Sequence, residues 1–195
     1  MKLKLLTLST LVFVSLLVLG CGDKENREKK GNKIKEETKK AELLPIYTLQ
    51  DGNRTVVIES KDKQFKFSID KPIVILNFFA TWCPPCRAEI PHLVNLQKRY
   101  AKNLAIIGVL VESLNQNEVS EFNKRYNINY FVSYGSDNMR LASEVVDMLH
   151  QPRNFSIPMM ALFVNGKYFR HYIGMVPEEM LESDIQDALK LIKNN

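Results

Sequence analysis

Trp82-Cys83-Pro84-Pro85-Cys86 stands directly after an apolar run, Ile73-Val74-Ile75-Leu76-Asn77-Phe78-Phe79, and directly before a helical pattern. Two cysteines separated by two residues, at a strand-to-helix junction, close a small ring that opens and shuts reversibly as a disulfide. The pattern predicts a buried strand, a sharp junction, and a helix whose first turn carries redox chemistry. The rival is half of a zinc site, which needs a second pair of Cys or His ligands at fixed spacing. The chain has three cysteines and three histidines, and none makes that pair. No metal site and no cofactor are expected beyond the Cys83–Cys86 pair itself.

The third cysteine has a separate explanation. Lys2 and Lys4 give a positive start, and Leu5 to Leu19 is apolar apart from small hydroxyl residues. That is a signal-peptide pattern, too short and wrongly flanked for a membrane-spanning helix. Its end, Val18-Leu19-Gly20-Cys21, resembles a bacterial lipobox, which implies a lipid-modified Cys21 as first residue of the mature chain. An uncleaved signal anchor with a chance cysteine is the alternative. With Cys21 lipidated, only the motif cysteines remain as thiols. Gly22 to Ala41 is dominated by Lys, Glu, Asn and Gly, with Ile34 its one large apolar residue. Such a segment buries too little surface to fold and reads as a tether. The expected organisation is 1–20 signal peptide, 21–41 lipidated tether and 42–195 folded domain. The net charge of +5 owes much to the first two. A lysine-rich tether beside a membrane can touch anionic lipid, and nothing points to nucleic acid.

The remaining stretch, about 150 residues, suits one domain. Leu43 to Ile69 alternates in places and carries Asp51-Gly52 as a turn, which predicts an N-terminal β-hairpin. Pro72 to Phe79 and Leu104 to Val111 read as buried strands. Ile90, Leu93, Leu96 and Tyr100 recur at helical spacing after Pro84. Asn117 to Tyr126 and Asp137 to Leu149 read as helices, with Tyr130 to Ser133 a short strand between them. Asn165-Gly166 joins Met159–Val164 to Tyr168–Ile173 as a type I′ hairpin. Pro177 opens a last helix at its first position, with Leu181, Ile185, Leu189 and Ile192 as its stripe. The class is α/β: a mixed central sheet flanked by helices, with an N-terminal β-hairpin and an inserted helical segment.

From Leu43 to Lys193 the chain resembles the thioredoxin superfamily. Within it, the chain is similar to the membrane-anchored TlpA/ResA/CcmG group of thiol-disulfide oxidoreductases. The resemblance rests on Leu76-Asn77-Phe78-Phe79-Ala80-Thr81-Trp82-Cys83-Pro84-Pro85-Cys86-Arg87-Ala88-Glu89-Ile90-Pro91, on Ser156-Ile157-Pro158, and on Asn165-Gly166-Lys167. The helix-containing segment between Val111 and Pro158 also matches this group. The resemblance implies a cis-proline at Pro158, beside the Cys83 sulfur. It leaves the backbone around Ile157 free to pair with an extended substrate. It also implies roles for two glutamates, Glu89 and Glu112, near the site. Thioredoxin's buried aspartate is replaced here by Asn77, which does not titrate.

Cys83, at a helix N-terminus, is the expected attacking thiolate. Cys86, one turn on, is expected to resolve the mixed disulfide. Pro84 and Pro85 lack N–H groups, so the Cys86 N–H is the main local donor for a Cys83 thiolate. Fewer donors stabilise a thiolate less, which favours a reductant. Glu89 falls near Cys86 on the same helix, as its proton acceptor or as a solvated helix residue. Glu112, at the end of a buried strand, is the other candidate. Trp82 either shields the disulfide and offers an apolar contact to substrate, or belongs to the core. Pro91 is a structural helix proline, and His92 a surface residue.

The resemblance implies an extracytoplasmic reductase of protein disulfides. Its substrates would include apocytochrome c cysteine pairs, and its electrons would come from a CcdA/DsbD-like membrane thiol transporter. Its place would be the periplasmic face, at the inner membrane rather than the outer. Gly22 follows Cys21, so the familiar inner-membrane retention signal is absent. The alternatives are a general thiol reductase or oxidant for exported proteins, and a non-catalytic binding or holdase module on the same scaffold.

Overall fold

The computed structural model describes residues 44–194. The expected signal peptide, Cys21 and the whole of the tether lie outside them, as does the expected domain start at 42. Eight strands and four helices follow one another as β1 (Ile46–Asp51), β2 (Arg54–Lys61), β3 (Gln64–Phe67), β4 (Ile73–Phe79), α1 (Pro84–Arg99), β5 (Leu104–Leu110), α2 (Gln116–Arg125), β6 (Phe131–Ser133), α3 (Asn138–Met148), β7 (Met159–Val164), β8 (Lys167–Ile173) and α4 (Glu178–Lys193). Together the strands make one mixed sheet in the order β1-β2-β3-β8-β7-β4-β5-β6.

At the centre β4 runs parallel to β5 and antiparallel to β7. All seven residues of β4 and all seven of β5 are buried. Strands covered on both faces carry continuous apolar runs rather than alternation, and the sequences IVILNFF and LAIIGVL do so. One face packs Ile73, Ile75 and Leu162 under Ile90, Leu93 and Leu96 of α1, Val119 and Phe122 of α2, and Leu181 and Ile185 of α4. The other packs Leu76, Phe78 and Phe163 under Leu141 and Val145 of α3 and under Tyr47, Leu49, Val56 and Ile58 of β1 and β2.

The expected N-terminal hairpin forms as β1 and β2, and β3 extends it into a three-stranded meander. Its second turn is Asp62-Lys63, with φ of 51° and 63°. Two consecutive positive-φ residues without glycine are an uncommon turn, and with Lys63 where glycine would be expected the sequence lacks the strong two-residue hairpin signal. The first strand also reaches back to the far edge of the sheet. Tyr134 N–H donates to the Gln50 carbonyl at 3.2 Å and Val132 N–H to Asp51 Oδ2 at 3.1 Å. The two terminal strands thereby cover each other's open ends.

Asn165-Gly166 forms the expected tight turn, with φ of 49° and 75°. Gly166 is needed twice over. A Cβ there would meet the Phe65 carbonyl oxygen at 2.2 Å, and that approach lets Phe65 N–H donate to the Gly166 carbonyl at 2.8 Å. Pro177 stands one position earlier than expected: it caps α4 in an extended conformation, and the helix begins at Glu178. No helix among the described residues is long and apolar enough to cross a membrane.

Candidate active site

The site forms where β4 ends and α1 begins. Cys83 is the N-cap of α1, in extended conformation, and Pro84 and Pro85 fill the first helical positions. Proline suits those positions because their N–H groups have no partner within the helix. Cys83 and Cys86 are joined as a disulfide. The Cys86 N–H donates to Cys83 Sγ at 3.3 Å. This is the donor the double proline leaves in place. Cys83 retains 3% of its surface and Cys86 2%, so the disulfide is covered on nearly every side.

Three segments surround it. Ile157-Pro158 is a cis peptide bond, and it brings the Ile157 carbonyl oxygen to 3.9 Å from Cys83 Sγ. Gly174 N–H donates to the Pro158 carbonyl at 2.8 Å, tying the end of β8 to this loop. Trp82 is 64% exposed, so it belongs to the rim and not to the core.

The residue before Trp82 is held at both ends of its peptide. Thr81 N–H donates to Glu112 Oε1 at 2.5 Å, and the Thr81 carbonyl accepts from Arg87 Nη1 at 2.9 Å. Glu112 therefore fixes the loop that carries Trp82. Sequence reasoning left Arg87 without a role. Its signal was electrostatic: a cation in the first turn of a helix opposes the helix dipole, so it needs another partner there, and the Thr81 carbonyl provides one.

Glu89 lies on the inner face of α1 with 0% of its surface exposed, not on a solvated face. Its Oε1 accepts from Val176 N–H at 3.1 Å, and its Oε2 has no protein partner. Burial pushes its carboxyl up to about 7, against the lowering pull of the Val176 N–H. A carboxyl poised there both takes and releases a proton near neutrality. Asn77, on β4, is buried with its Oδ1 unpartnered. His92, expected at the surface, is half-buried, with its Nδ1 buried and without a protein partner. Among the described residues no group of three or more His, Cys, Asp and Glu side chains gathers as a metal site.

The site thus combines a closed disulfide at a helix N-terminus, a cis-proline loop against one sulfur, and a buried carboxyl on the helix that carries both cysteines. Comparison with known proteins agrees with that chemistry. Residues 41–167 match the family model described as AhpC/TSA family. The thiol-disulfide oxidoreductase ResA of Bacillus subtilis is 30% identical over 165 residues, which cover 82% of this chain and 79% of that protein. The thioredoxin-like protein YneN of the same organism is 44% identical over 59 residues, 29% of this chain and 35% of YneN. Among solved structures, a thiol:disulfide interchange protein of the thioredoxin family from Chlorobium tepidum superposes with a TM-score of 0.52 at 28% identity. It covers 60% of this chain and 79% of that one. The chain therefore belongs to the thioredoxin-like AhpC/TSA family and, within it, is a thiol-disulfide oxidoreductase of the ResA type, with Cys83 and Cys86 as its cysteine pair.

Proposed function

We propose that the chain is a lipid-anchored reductase of protein disulfides on the extracytoplasmic face of the cytoplasmic membrane. Its substrate class includes the oxidised cysteine pair of an apocytochrome c before haem attachment. The observation that carries the reductive direction is the sparse support of the Cys83 sulfur: it accepts one backbone N–H, that of Cys86, because Pro84 and Pro85 have none to give. A strong oxidant draws its power from a stabilised reduced form, and this site offers little stabilisation to a Cys83 thiolate. The buried Glu89 acts in the same direction, because negative charge near a thiol raises its pKa.

In the reaction, the Cys83 thiolate attacks one sulfur of the substrate disulfide. A Cys83–substrate disulfide forms, and the other substrate sulfur leaves as a thiolate and takes up a proton. Glu89 then accepts the Cys86 proton, and the Cys86 sulfur attacks Cys83 Sγ. The second substrate sulfur leaves as a thiolate and takes up a proton, the one Glu89 received from Cys86, so two electrons have passed to the substrate and the chain returns to its disulfide form. A membrane thiol transporter of the CcdA/DsbD kind restores the dithiol. Ile157 and Pro158 seat the substrate backbone beside Cys83, and Trp82 supplies apolar contact at the rim. Lipidation at Cys21 holds the domain at the membrane.

The test is the equilibrium reduction potential of the Cys83–Cys86 pair near pH 7. A value near or below about −270 mV, thioredoxin's, supports the reductase, and a value near about −120 mV, that of DsbA, overturns it. A peptide bearing an oxidised Cys-x-x-Cys-His motif, reduced faster than an unrelated disulfide peptide, supports the cytochrome substrate. Equal rates point to a general reductase.

A further inference from the structure

Glu89 has one carboxylate oxygen whose partner is accounted for and one whose partner is not. Oε1 takes the Val176 N–H, while Oε2 is buried without a protein partner. The same apolar face of the sheet holds a second such atom. Tyr130, immediately before β6, is 4% exposed and packs in the core cluster with Ile90 and Leu93 of α1. Its hydroxyl is buried and has no protein partner either. The chain next to it is fastened to α1, since Asn129 Nδ2 donates to the Val94 carbonyl at 3.0 Å. Tyr130 and Glu89 thus approach the same interior from facing elements, each offering one unsatisfied polar atom.

Buried polar groups are almost always hydrogen-bonded, and pairs of them too far apart to bond directly are commonly bridged by an internal water. We infer that Tyr130 is a positioning residue for Glu89, its hydroxyl joined through one buried water to Oε2, so that Tyr130 sets how tightly Glu89 holds its proton. This rests on the reading of Glu89 as proton acceptor for Cys86. Burial, and then the charge of Glu89, raise the Tyr130 hydroxyl's pKa, which keeps the phenol protonated. A protonated phenol donates toward the carboxylate, and donation to the charged form lowers a carboxyl's pKa relative to burial alone. Tyr130 thereby opposes the desolvation of Glu89.

Other ionisable groups on the surrounding elements have their own positions. On α1 these are the Cys83–Cys86 disulfide, His92, and Arg87, which is bonded to Thr81. Past β5, Glu112 holds the Thr81 N–H. On β8 and α4, Tyr172 donates to Asp184, which also pairs with Arg170.

The experiment follows the Glu89 carboxyl carbon by NMR against pH, in the oxidised full chain labelled with carbon-13 glutamate. Wild type is compared with Tyr130→Phe, and Glu89→Gln identifies the resonance. Loss of the donor is expected to raise the Glu89 midpoint by about one pH unit, a tenfold tighter hold on the proton. A wild-type midpoint in the ordinary carboxylate range overturns the proton-acceptor reading and this inference with it. A midpoint near 7 that Tyr130→Phe leaves unmoved overturns this inference alone. A second measurement leaves the core packing intact. In the fluorotyrosine-labelled full chain, the Tyr130 fluorine signal should inflect at the Glu89 midpoint and lose that inflection in Glu89→Gln. A signal with no inflection overturns the inference.

Discussion

Replacing Glu89 by Gln should reshape how stability depends on pH. The carboxyl sits at about 7 in the folded chain, against an ordinary 4.5, because burial disfavours its charged form. Between those two values the folded state binds a proton that the unfolded state has released. Stability contributed by the neutral carboxyl is therefore complete below 4.5, declines as pH rises, and is gone above about 7. The difference between 4.5 and about 7, at 1.36 kcal/mol per pH unit, is about 3 kcal/mol. Glutamine keeps an oxygen for the Val176 N–H and cannot ionise. Relative to wild type, Glu89→Gln should gain about 3 kcal/mol between about pH 4 and about pH 8. The assay is urea unfolding of the oxidised protein at intervals across that range, where neither motif cysteine titrates. Wild-type and variant curves that stay parallel throughout would refute the argument, because they would mean that the carboxyl does not pay for its burial.

The division of labour between the cysteines predicts that Cys86→Ser accumulates a mixed disulfide with a protein substrate through Cys83, visible as a reductant-sensitive band. Cys83→Ser should accumulate none. Gly166→Ala should destabilise the fold by about 2–4 kcal/mol, from a positive φ combined with a clash against the Phe65 carbonyl. Equilibrium denaturation checks this. Glu112→Ala frees the Thr81 N–H, so the anisotropy of Trp82, the chain's single tryptophan, should decay faster in the variant while global stability changes little.

Local patterns in the sequence carry most of the scaffold. The apolar runs of β4 and β5 are strands because both faces are covered, and Met159–Val164 forms its strand over the range that Asn165-Gly166 delimits. Asp62-Lys63 hid a turn because aspartate alone is a weak turn signal and Lys63 stands where a glycine would be expected. At the site, the spacing of Cys83 and Cys86 on one helical turn announces the disulfide directly. The environment of Glu89 is not announced, because a position three residues past Cys86 fits a wet face or a dry one equally well. What decides is how α4, the end of β8 and Tyr130 close over α1, from residues up to 87 positions away. The Thr81 clamp shares this character in part: Arg87 is a local partner on α1, whereas the role of Glu112 exists only once β5 lies beside β4.

The covering of the disulfide has a consequence for selectivity in time. Thiol-disulfide exchange requires a nucleophile to reach sulfur along the S–S axis, and Cys83 and Cys86 together offer almost no surface to a freely diffusing small thiol. A protein partner of the proposed reductase would bring contact energy at the exposed Trp82 rim that a small molecule does not. The pair can thus be held out of equilibrium with the thiol pool around it. For the proposed reductase, the redox state would then follow its last protein encounter rather than the poise of its surroundings.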